Sequence, residues 1–320
     1  MRAAVALLVL LVLVLALVAG LVAVSSWLFP GTPSSSPQRC TTEVAGPDGQ
    51  DLRAELAPDQ TANAALIVGL ANQRGLPARA ATIGIATAIQ ESGLRNIDYG
   101  DRDSLGLFQQ RPSQGWGSEA QVQDPLYATG EFYDALVVVD GYGALEITVA
   151  AQRVQRSGFP EAYADHEDEG RALASALYGL SPASLACDLD PLADDEPTER
   201  ADPSTGFIPQ SQALLDDLLA WGPGGWEQTD VADVAVEGAV DDADTDGRRP
   251  QVLTLDASAA AEPSRTAWAL AHSAVAVAAA RDVVRVEVDG QVWDRAKRAA
   301  GWVEAAAPGA SPGEVLVTVG

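Results

Sequence analysis

One glutamate, Glu91, ends an apolar stretch that has the spacing of a helix. Ile85 and Ile89 lie one turn apart before it, and Gly93 follows as a candidate C-terminal cap. Apolar surroundings and the negative end of a helix dipole both disfavour a carboxylate, so a carboxyl group here is suited to keep its proton. Such a group can give that proton to the leaving oxygen of a glycosidic bond. The alternative is an ordinary exposed glutamate near a helix end.

The residues one and two helical turns before Glu91 are small. Thr87 and Ala88 lie on the preceding turn, and Gly84 lies one turn further back. Residues at these spacings share one face of a helix. We therefore expect them to leave an open groove floor beside the acid.

A second motif follows after a polar loop, in residues 104–110, which read Ser-Leu-Gly-Leu-Phe-Gln-Gln. Together with Glu91 and Ser92, this motif resembles the signature of lytic transglycosylases and goose-type lysozymes, members of the lysozyme-like superfamily. That signature is Glu-Ser, then a Ser and a Gly-Leu-Met-Gln turn, so Phe108 stands at the Met position. The resemblance covers roughly residues 60–180.

The resemblance implies a reaction and a role for individual residues. The substrate is expected to be peptidoglycan, cut at the β-1,4 bond between N-acetylmuramic acid and N-acetylglucosamine, with Glu91 as the catalytic acid and base. Residues of the second motif are expected to bind the glycan strand, namely Ser104, Gly106, Leu107, Phe108, Gln109 and Gln110.

The chain departs from the family on a later helix. The family carries an Ala-Tyr-Asn stretch there, whose Tyr and Asn help to hold the substrate and the acid. The nearest stretch in this chain offers Gln152, Gln155 and Tyr163 as substitutes, without a residue-by-residue match.

A hydrolase needs a second carboxylate, either as a nucleophile or as a base that activates water. Asp98, Asp101 and Asp103 in the polar loop are the candidates. A lytic transglycosylase needs none, because the 6-hydroxyl of the sugar attacks and leaves a 1,6-anhydro end. The resemblance favours this non-hydrolytic reaction, and a hydrolytic muramidase is the runner-up.

The composition of the chain limits which cofactors and partners we expect. Lys and Arg total 20 against 45 Asp and Glu, and the net charge of −25 argues against a nucleic-acid partner. The three aspartates do not have the spacing of an EF-hand, and two His with two Cys do not build a typical structural zinc site. We therefore expect neither a metal nor a cofactor.

The N-terminal residues predict export. Residues 3–24 carry no charge, and a run of this length can cross a hydrocarbon core of roughly 30 Å. We expect a single-pass anchor in the cell membrane, with the N-terminus in the cytoplasm and the bulk of the chain outside. The alternative is a signal peptide whose cleavage releases a secreted protein.

The two cysteines, Cys40 and Cys187, predict a disulfide, since an exported chain meets an oxidising compartment. The predicted fold class is mainly α, with a lysozyme-like helical domain after an N-terminal transmembrane helix and a small C-terminal α/β module. The predicted divisions are a signal-anchor (1–28), an extracytoplasmic linker with little order (29–59), the helical domain (60–187), an acidic linker with a short amphipathic helix (188–250) and the α/β module (251–320).

A second class of function stays open at this point. The missing Ala-Tyr-Asn stretch and the large accessory region are also typical of a non-catalytic wall-binding or scaffold protein. The C-terminal module is a candidate docking site for another cell-envelope protein. His166 and His272 have no evident partner, and we expect both to be exposed or half-buried rather than catalytic bases.

Overall fold

The computed structural model describes residues 37–47, 49–192, 201–233 and 250–320. The predicted membrane segment, residues 1–28, lies outside these described residues. Within them, every helix is too short or too polar to cross a membrane.

Helices and strands alternate along the described chain. The α-helices are α1 (Pro58–Gln73), α2 (Ala78–Ser92), α3 (Glu119–Val122), α4 (Pro125–Val137), α5 (Ile147–Gln155), α6 (Glu167–Leu177), α7 (Pro209–Trp221) and α8 (Pro263–Ala276). Short 3₁₀ turns cover Pro112–Gln114, Ala162–His166 and Arg295–Ala300. The strands are β1 (Arg39–Ala45), β2 (Asp51–Leu56), β3 (Leu185–Asp188), β4 (Glu227–Asp233), β5 (Gln251–Asp256), β6 (Val283–Val288), β7 (Gln291–Asp294), β8 (Trp302–Glu304) and β9 (Glu314–Val319).

A three-stranded sheet with the order β2-β1-β3 joins the two ends of the helical region. Both pairs of strands are antiparallel, and Cys40 in β1 lies opposite Cys187 in β3. The two cysteines form a disulfide, with Cα atoms 3.9 Å apart, so the predicted pairing is confirmed. The disulfide therefore joins two neighbouring strands within this sheet.

A six-stranded antiparallel sheet with the order β4-β5-β9-β6-β7-β8 forms from the C-terminal third of the chain. Burial alternates along β5 and β9, as expected of strands that cover a core with one face. Helix α8 packs on this sheet through β6 and β9, and it also packs on α1 and α6. One apolar core therefore extends from the helices to the sheet.

Two tryptophans connect the second sheet to the first. The indole Nε1 of Trp293 donates to the Cys187 carbonyl at 3.1 Å, and that of Trp302 donates to the Leu185 carbonyl at 2.7 Å. The described residues from Gln38 to Gly320 form one compact unit.

The predicted fold class is wrong: the chain is not a mainly helical, lysozyme-like domain followed by a separate small α/β module. The structure has two antiparallel sheets, and the larger one shares its core with the helices. Strands β1 and β2 lie in the predicted linker 29–59, and β4 lies in the predicted acidic linker. Burial alternates over the seven residues of β1, but Pro, Ser and Gly nearby obscured this short period-two signal.

Candidate active site

The C-terminal end of α2 is held in a defined geometry by α1. Gly93 takes a left-handed conformation, with φ of 63°, and ends the helix. The side-chain amide of Gln60 donates to the Gly93 carbonyl at 2.7 Å, and that of Asn63 donates to the Leu94 carbonyl at 2.8 Å. The backbone next to Glu91 is therefore satisfied by neighbouring protein groups.

The carboxyl group of Glu91 is half-buried and has one protein partner in the described structure. The hydroxyl of Tyr163, in the 3₁₀ turn Ala162–His166, donates to Glu91 Oε1 at 2.6 Å. No described residue forms a hydrogen bond with Oε2. One oxygen of the carboxyl group is thus fixed, and the other is left for a ligand or solvent.

Tyr163 is suited to remain a hydrogen-bond donor. Its side chain is fully buried. Burial raises the pKa of the Tyr163 hydroxyl far above its ordinary value, and the hydrogen bond to Glu91 raises it further, while the Ser157 hydroxyl lowers it by less. The phenol therefore stays protonated over the whole physiological pH range.

Residues 104–110 form a tight turn. Leu105 and Gln110 pair as an antiparallel bridge, with both N–H to carbonyl distances at 3.1 Å. Gly106 begins the turn at φ of 77°, and its N–H donates to the Ile97 carbonyl at 2.8 Å. A side chain at Gly106 would place its Cβ 2.3 Å from the carbonyl oxygen of Val122, so only glycine fits.

Two polar side chains attach this turn to the elements that carry Glu91 and Tyr163. Ser92 Oγ, next to Glu91, lies 2.8 Å from the Leu107 carbonyl oxygen. From the end of α5, the amide of Gln155 donates to the Phe108 carbonyl, also at 2.8 Å. Helix α2, the turn and the segment after α5 therefore converge at Glu91.

The residues predicted to bind the glycan are mostly inside the protein. Leu107 and Phe108 are fully buried, and the Phe108 ring stacks on Phe132 with centroids 4.6 Å apart. Ser104 is also buried, and the Gln110 amide donates to the Ala128 carbonyl. These side chains build the turn, and in this conformation they do not face a ligand.

Gln109, in the same turn, is half-buried. Its side-chain amide donates to the Tyr99 carbonyl at 3.2 Å and to the Gly106 carbonyl at 3.3 Å. The amide thus fixes the polar loop to the turn.

The three candidate second carboxylates differ in their surroundings. Asp103 accepts hydrogen bonds from the backbone N–H of Ser113 at 2.8 Å, from the Ser113 hydroxyl and from Arg111 Nε. These bonds, the one from the Ser113 backbone first, hold the pKa of Asp103 well below its ordinary value. Asp98 and Asp101 are exposed on the loop. Asp103 thus stabilises the loop, whereas Asp98 and Asp101 face solvent, with Asp101 Oδ2 3.9 Å from Arg102 Nε.

The expected groove floor on α2 is not present. Thr87 and Ala88 are fully buried. The face of Gly84 is filled by Ile67 and by the Tyr133 hydroxyl, each 3.1 Å from the position that a Cβ would take. The small residues let helices pack closely, and they do not open a cleft.

Two of the three proposed substitutes for the missing Ala-Tyr-Asn stretch reach the site. Tyr163 contacts Glu91 and Gln155 contacts the turn, whereas the amide of Gln152 donates to the Ser157 carbonyl at 2.8 Å. His166, on the same 3₁₀ turn as Tyr163, lies with Nε2 3.1 Å from Gln90 Oε1. Sequence spacing alone could not separate these roles, because the 3₁₀ turn sets the direction of Tyr163.

Among the described residues, no cluster of His, Cys, Asp and Glu side chains could hold a metal ion. Comparison of the chain with protein-family models and with curated proteins finds no match. The candidate site must therefore be interpreted from its own geometry.

Proposed function

We propose that this chain is a peptidoglycan lytic enzyme that cleaves the β-1,4 bond between N-acetylmuramic acid and N-acetylglucosamine, with Glu91 as general acid and base. The observation that carries the proposal is the carboxyl group of Glu91, bound by Tyr163 at Oε1 and open among the described residues at Oε2. A carboxyl group held in this way presents its proton in a set direction. The likeness of the Glu91 and 104–110 motifs to lytic transglycosylases supports the same reaction.

The proposed reaction uses one carboxyl group twice. Glu91 gives its proton to the glycosidic oxygen while the bond between that oxygen and C1 of N-acetylmuramic acid breaks. The carboxylate then takes the proton of the sugar's 6-hydroxyl, whose oxygen bonds to C1. A 1,6-anhydro end forms, Glu91 is protonated again, and no water is consumed.

The surroundings of the aspartates favour this non-hydrolytic course. The carboxylate of Asp103 already accepts hydrogen bonds from Ser113 and Arg111, so it is poorly placed to act as a base. Asp98 and Asp101 are exposed, and in the described part of the chain neither forms a hydrogen bond with Glu91. A hydrolytic muramidase that uses Asp98 or Asp101 to activate water is the competing reaction.

The proposed place of action is the outer face of the cell membrane. The uncharged run in residues 3–24 would supply the anchor, or a signal peptide in the secreted alternative. The disulfide between Cys40 and Cys187 supports an oxidising compartment, where peptidoglycan is also found.

The decisive experiment is digestion of purified peptidoglycan by the full-length chain in heavy-oxygen water, with mass spectrometry of the products. We expect anhydro ends, each lighter than a reducing end by one water and free of the label. Labelled reducing ends would instead establish a muramidase, and Asp98→Asn and Asp101→Asn would then identify its base.

Two variants test the role of Glu91 itself. Glu91→Gln keeps the shape of the side chain but removes the titrating proton, so we expect cleavage to be lost. Glu119→Gln, at an exposed glutamate that begins α3, is the matched control and should cleave like the parent chain. Equal cleavage by the Glu91→Gln chain would overturn the proposal.

A non-catalytic wall-binding protein is the second candidate function. The buried positions of Thr87 and Ala88 favour it, because they leave no groove floor on α2 beside the carboxyl group. This function predicts that the chain sediments with peptidoglycan, releases no product and binds equally well after Glu91→Gln.

A further inference from the structure

Two large aromatic side chains, one on the loop that leads to the turn and one on the segment that leads to Tyr163, are exposed to solvent. Tyr99 is 69% exposed and Phe159 is 77% exposed. The other large apolar side chains of the described chain with high exposure are aliphatic, namely Val137, Val138, Leu180 and Leu219. Single exposed apolar residues are common on protein surfaces, so exposure alone does not indicate a function. The positions of these two aromatic rings in the fold must therefore be considered.

Tyr99 lies on the loop that connects α2 to the turn. Its carbonyl accepts the side-chain amide of Gln109 at 3.2 Å. Gln109 belongs to the turn whose Leu107 carbonyl lies 2.8 Å from Ser92 Oγ, and Ser92 directly follows Glu91. The backbone of Tyr99 is therefore held to the site while its ring projects away from the core.

Phe159 lies on the other segment that supports Glu91. Its N–H donates to the Ser157 hydroxyl at 3.1 Å, and its carbonyl accepts from the N–H of Ala162 at 3.2 Å. Ala162 begins the 3₁₀ turn, and the next residue is Tyr163, which donates to Glu91. The backbone of Phe159 is thus also fixed, and its ring is likewise left in solvent.

We propose that Tyr99 and Phe159 are stacking platforms for N-acetylhexosamine rings, one on the loop that leads to the turn and one on the segment that leads to Tyr163. This inference rests on the proposed function, because it assigns the glycan contacts of that same site. The C–H bonds on one face of a sugar ring suit the negative face of an aromatic ring, and burial of both surfaces adds a hydrophobic contribution.

The stacking platforms would also supply the side-chain contacts to a glycan that the buried turn does not offer. Leu107 and Phe108 are fully buried and cannot present their side chains to a glycan. A glycan strand near Glu91 would instead meet Tyr99 and Phe159, whose rings are exposed on fixed backbone. Because the backbone at both positions is already held, binding restricts only the side-chain torsions of the two rings.

The test is calorimetric binding of a tetrasaccharide with alternating N-acetylglucosamine and N-acetylmuramic acid units to the full-length Glu91→Gln chain. On this background we expect Tyr99→Ala and Phe159→Ala each to weaken binding about three- to tenfold. Tyr99→Phe and Phe159→Tyr keep the ring and should restore affinity. Leu219→Ala, which removes an aliphatic side chain that is 65% exposed, is the matched control and should change nothing.

The outcomes separate this inference from the proposed function. If the Glu91→Gln chain does not bind, or if both alanine variants bind like it, the stacking platforms are wrong, whatever the cleavage assay shows. If binding depends on Tyr99 and Phe159 but the parent chain cleaves no peptidoglycan, the platforms stand and the proposed catalysis falls. Circular dichroism of each alanine variant excludes unfolding as the cause of weaker binding.

Discussion

The hydroxyl of Tyr163 donates a 2.6 Å hydrogen bond to Oε1 of Glu91 across 72 positions of sequence. Because the Tyr163 ring is fully buried, packing rather than solvent sets its direction. Its hydroxyl therefore holds the carboxyl group of Glu91 at a constant angle to the end of α2. In the proposed reaction, Tyr163 is a positioning residue and Glu91 is the acid.

Tyr163→Phe removes this bond and keeps the ring. We expect kcat for peptidoglycan cleavage to fall about tenfold, because a carboxyl group without its anchor spends less time in the productive direction. KM should change little, since the hydroxyl contacts the acid and not the glycan. Steady-state kinetics of product release measure both constants.

Tyr133→Phe is the matched control for that variant. The hydroxyl of Tyr133 is also buried and donates to the Ile67 carbonyl at 2.8 Å. Its loss should lower the free energy of unfolding by about 1 kcal/mol and leave kcat unchanged. An equal fall in kcat for both phenylalanine variants would mean that stability, and not the position of Glu91, explains the effect of Tyr163.

Gly106→Ala should destabilise the protein strongly. The substitution forces a side chain into the left-handed region at φ of 77° and places Cβ 2.3 Å from the Val122 carbonyl oxygen. We expect the free energy of unfolding to fall by about 3 kcal/mol or more, because the backbone itself must move. Urea denaturation gives this quantity.

Gly115→Ala separates the two causes of that loss. Gly115 has φ of 87°, but no atom lies within 4 Å of the position that its Cβ would take. This variant should lose only about 1 kcal/mol, the cost of the left-handed conformation alone. Similar losses of unfolding free energy at both positions would show that the close approach of Val122 adds nothing to the cost of a side chain at Gly106.

The helices were largely predictable from sequence, because their apolar spacing and caps are local signals. The apolar stretch with helical spacing that leads to Glu91 is α2, Ala78–Ser92, and Gly93 ends it as predicted. The pairing of Cys40 with Cys187 also followed from counting, since the chain has no other cysteine. A turn in residues 104–110 was implied by the family resemblance, and the structure adds that Gly106 begins it in the left-handed conformation.

The sheets and the side-chain contacts at the site could not be predicted in this way, because they depend on contacts between distant parts of the chain. Strand β1 pairs with β2 on one side and with β3 on the other, and β3 lies more than a hundred residues further along the chain. His272 has a neighbour in Ala176 of α6 that no local pattern indicates. For the same reason, the contact between Tyr163 and Glu91 could only be named as one of three options.

The disulfide should contribute strongly to stability, because it closes a loop of 147 residues in the unfolded chain. Cys40→Ala combined with Cys187→Ala should lower the free energy of unfolding by about 2–5 kcal/mol. Reductant should destabilise the parent chain by a similar amount and leave the double variant unchanged. Urea denaturation with and without reductant measures both effects, and an insensitive parent chain would contradict this prediction.

His272 is fully buried, in contrast to the exposed or half-buried position expected from sequence. Its Nδ1 donates to the Ala176 carbonyl at 2.7 Å, and no described residue is a hydrogen-bond partner of its Nε2. The rings of Trp268 and Trp302 lie 5.3 and 5.7 Å from the imidazole, between centroids. Burial lowers the pKa of His272 from 6.5 to about 4, although the bond to Ala176 partly opposes this shift.

This buried imidazole should make the protein sensitive to acid. Between pH 6.5 and about 4 the unfolded chain takes up a proton at His272 that the folded chain does not, so stability falls as the pH falls. In total the free energy of unfolding falls by about 3 kcal/mol, and the fall is complete once the pH is below the pKa of His272 in the folded chain. His272→Asn keeps a neutral donor toward Ala176 and removes the titration. The difference between the urea denaturation curves of the two chains, measured across this pH range, should therefore show the loss, and a constant difference would contradict it.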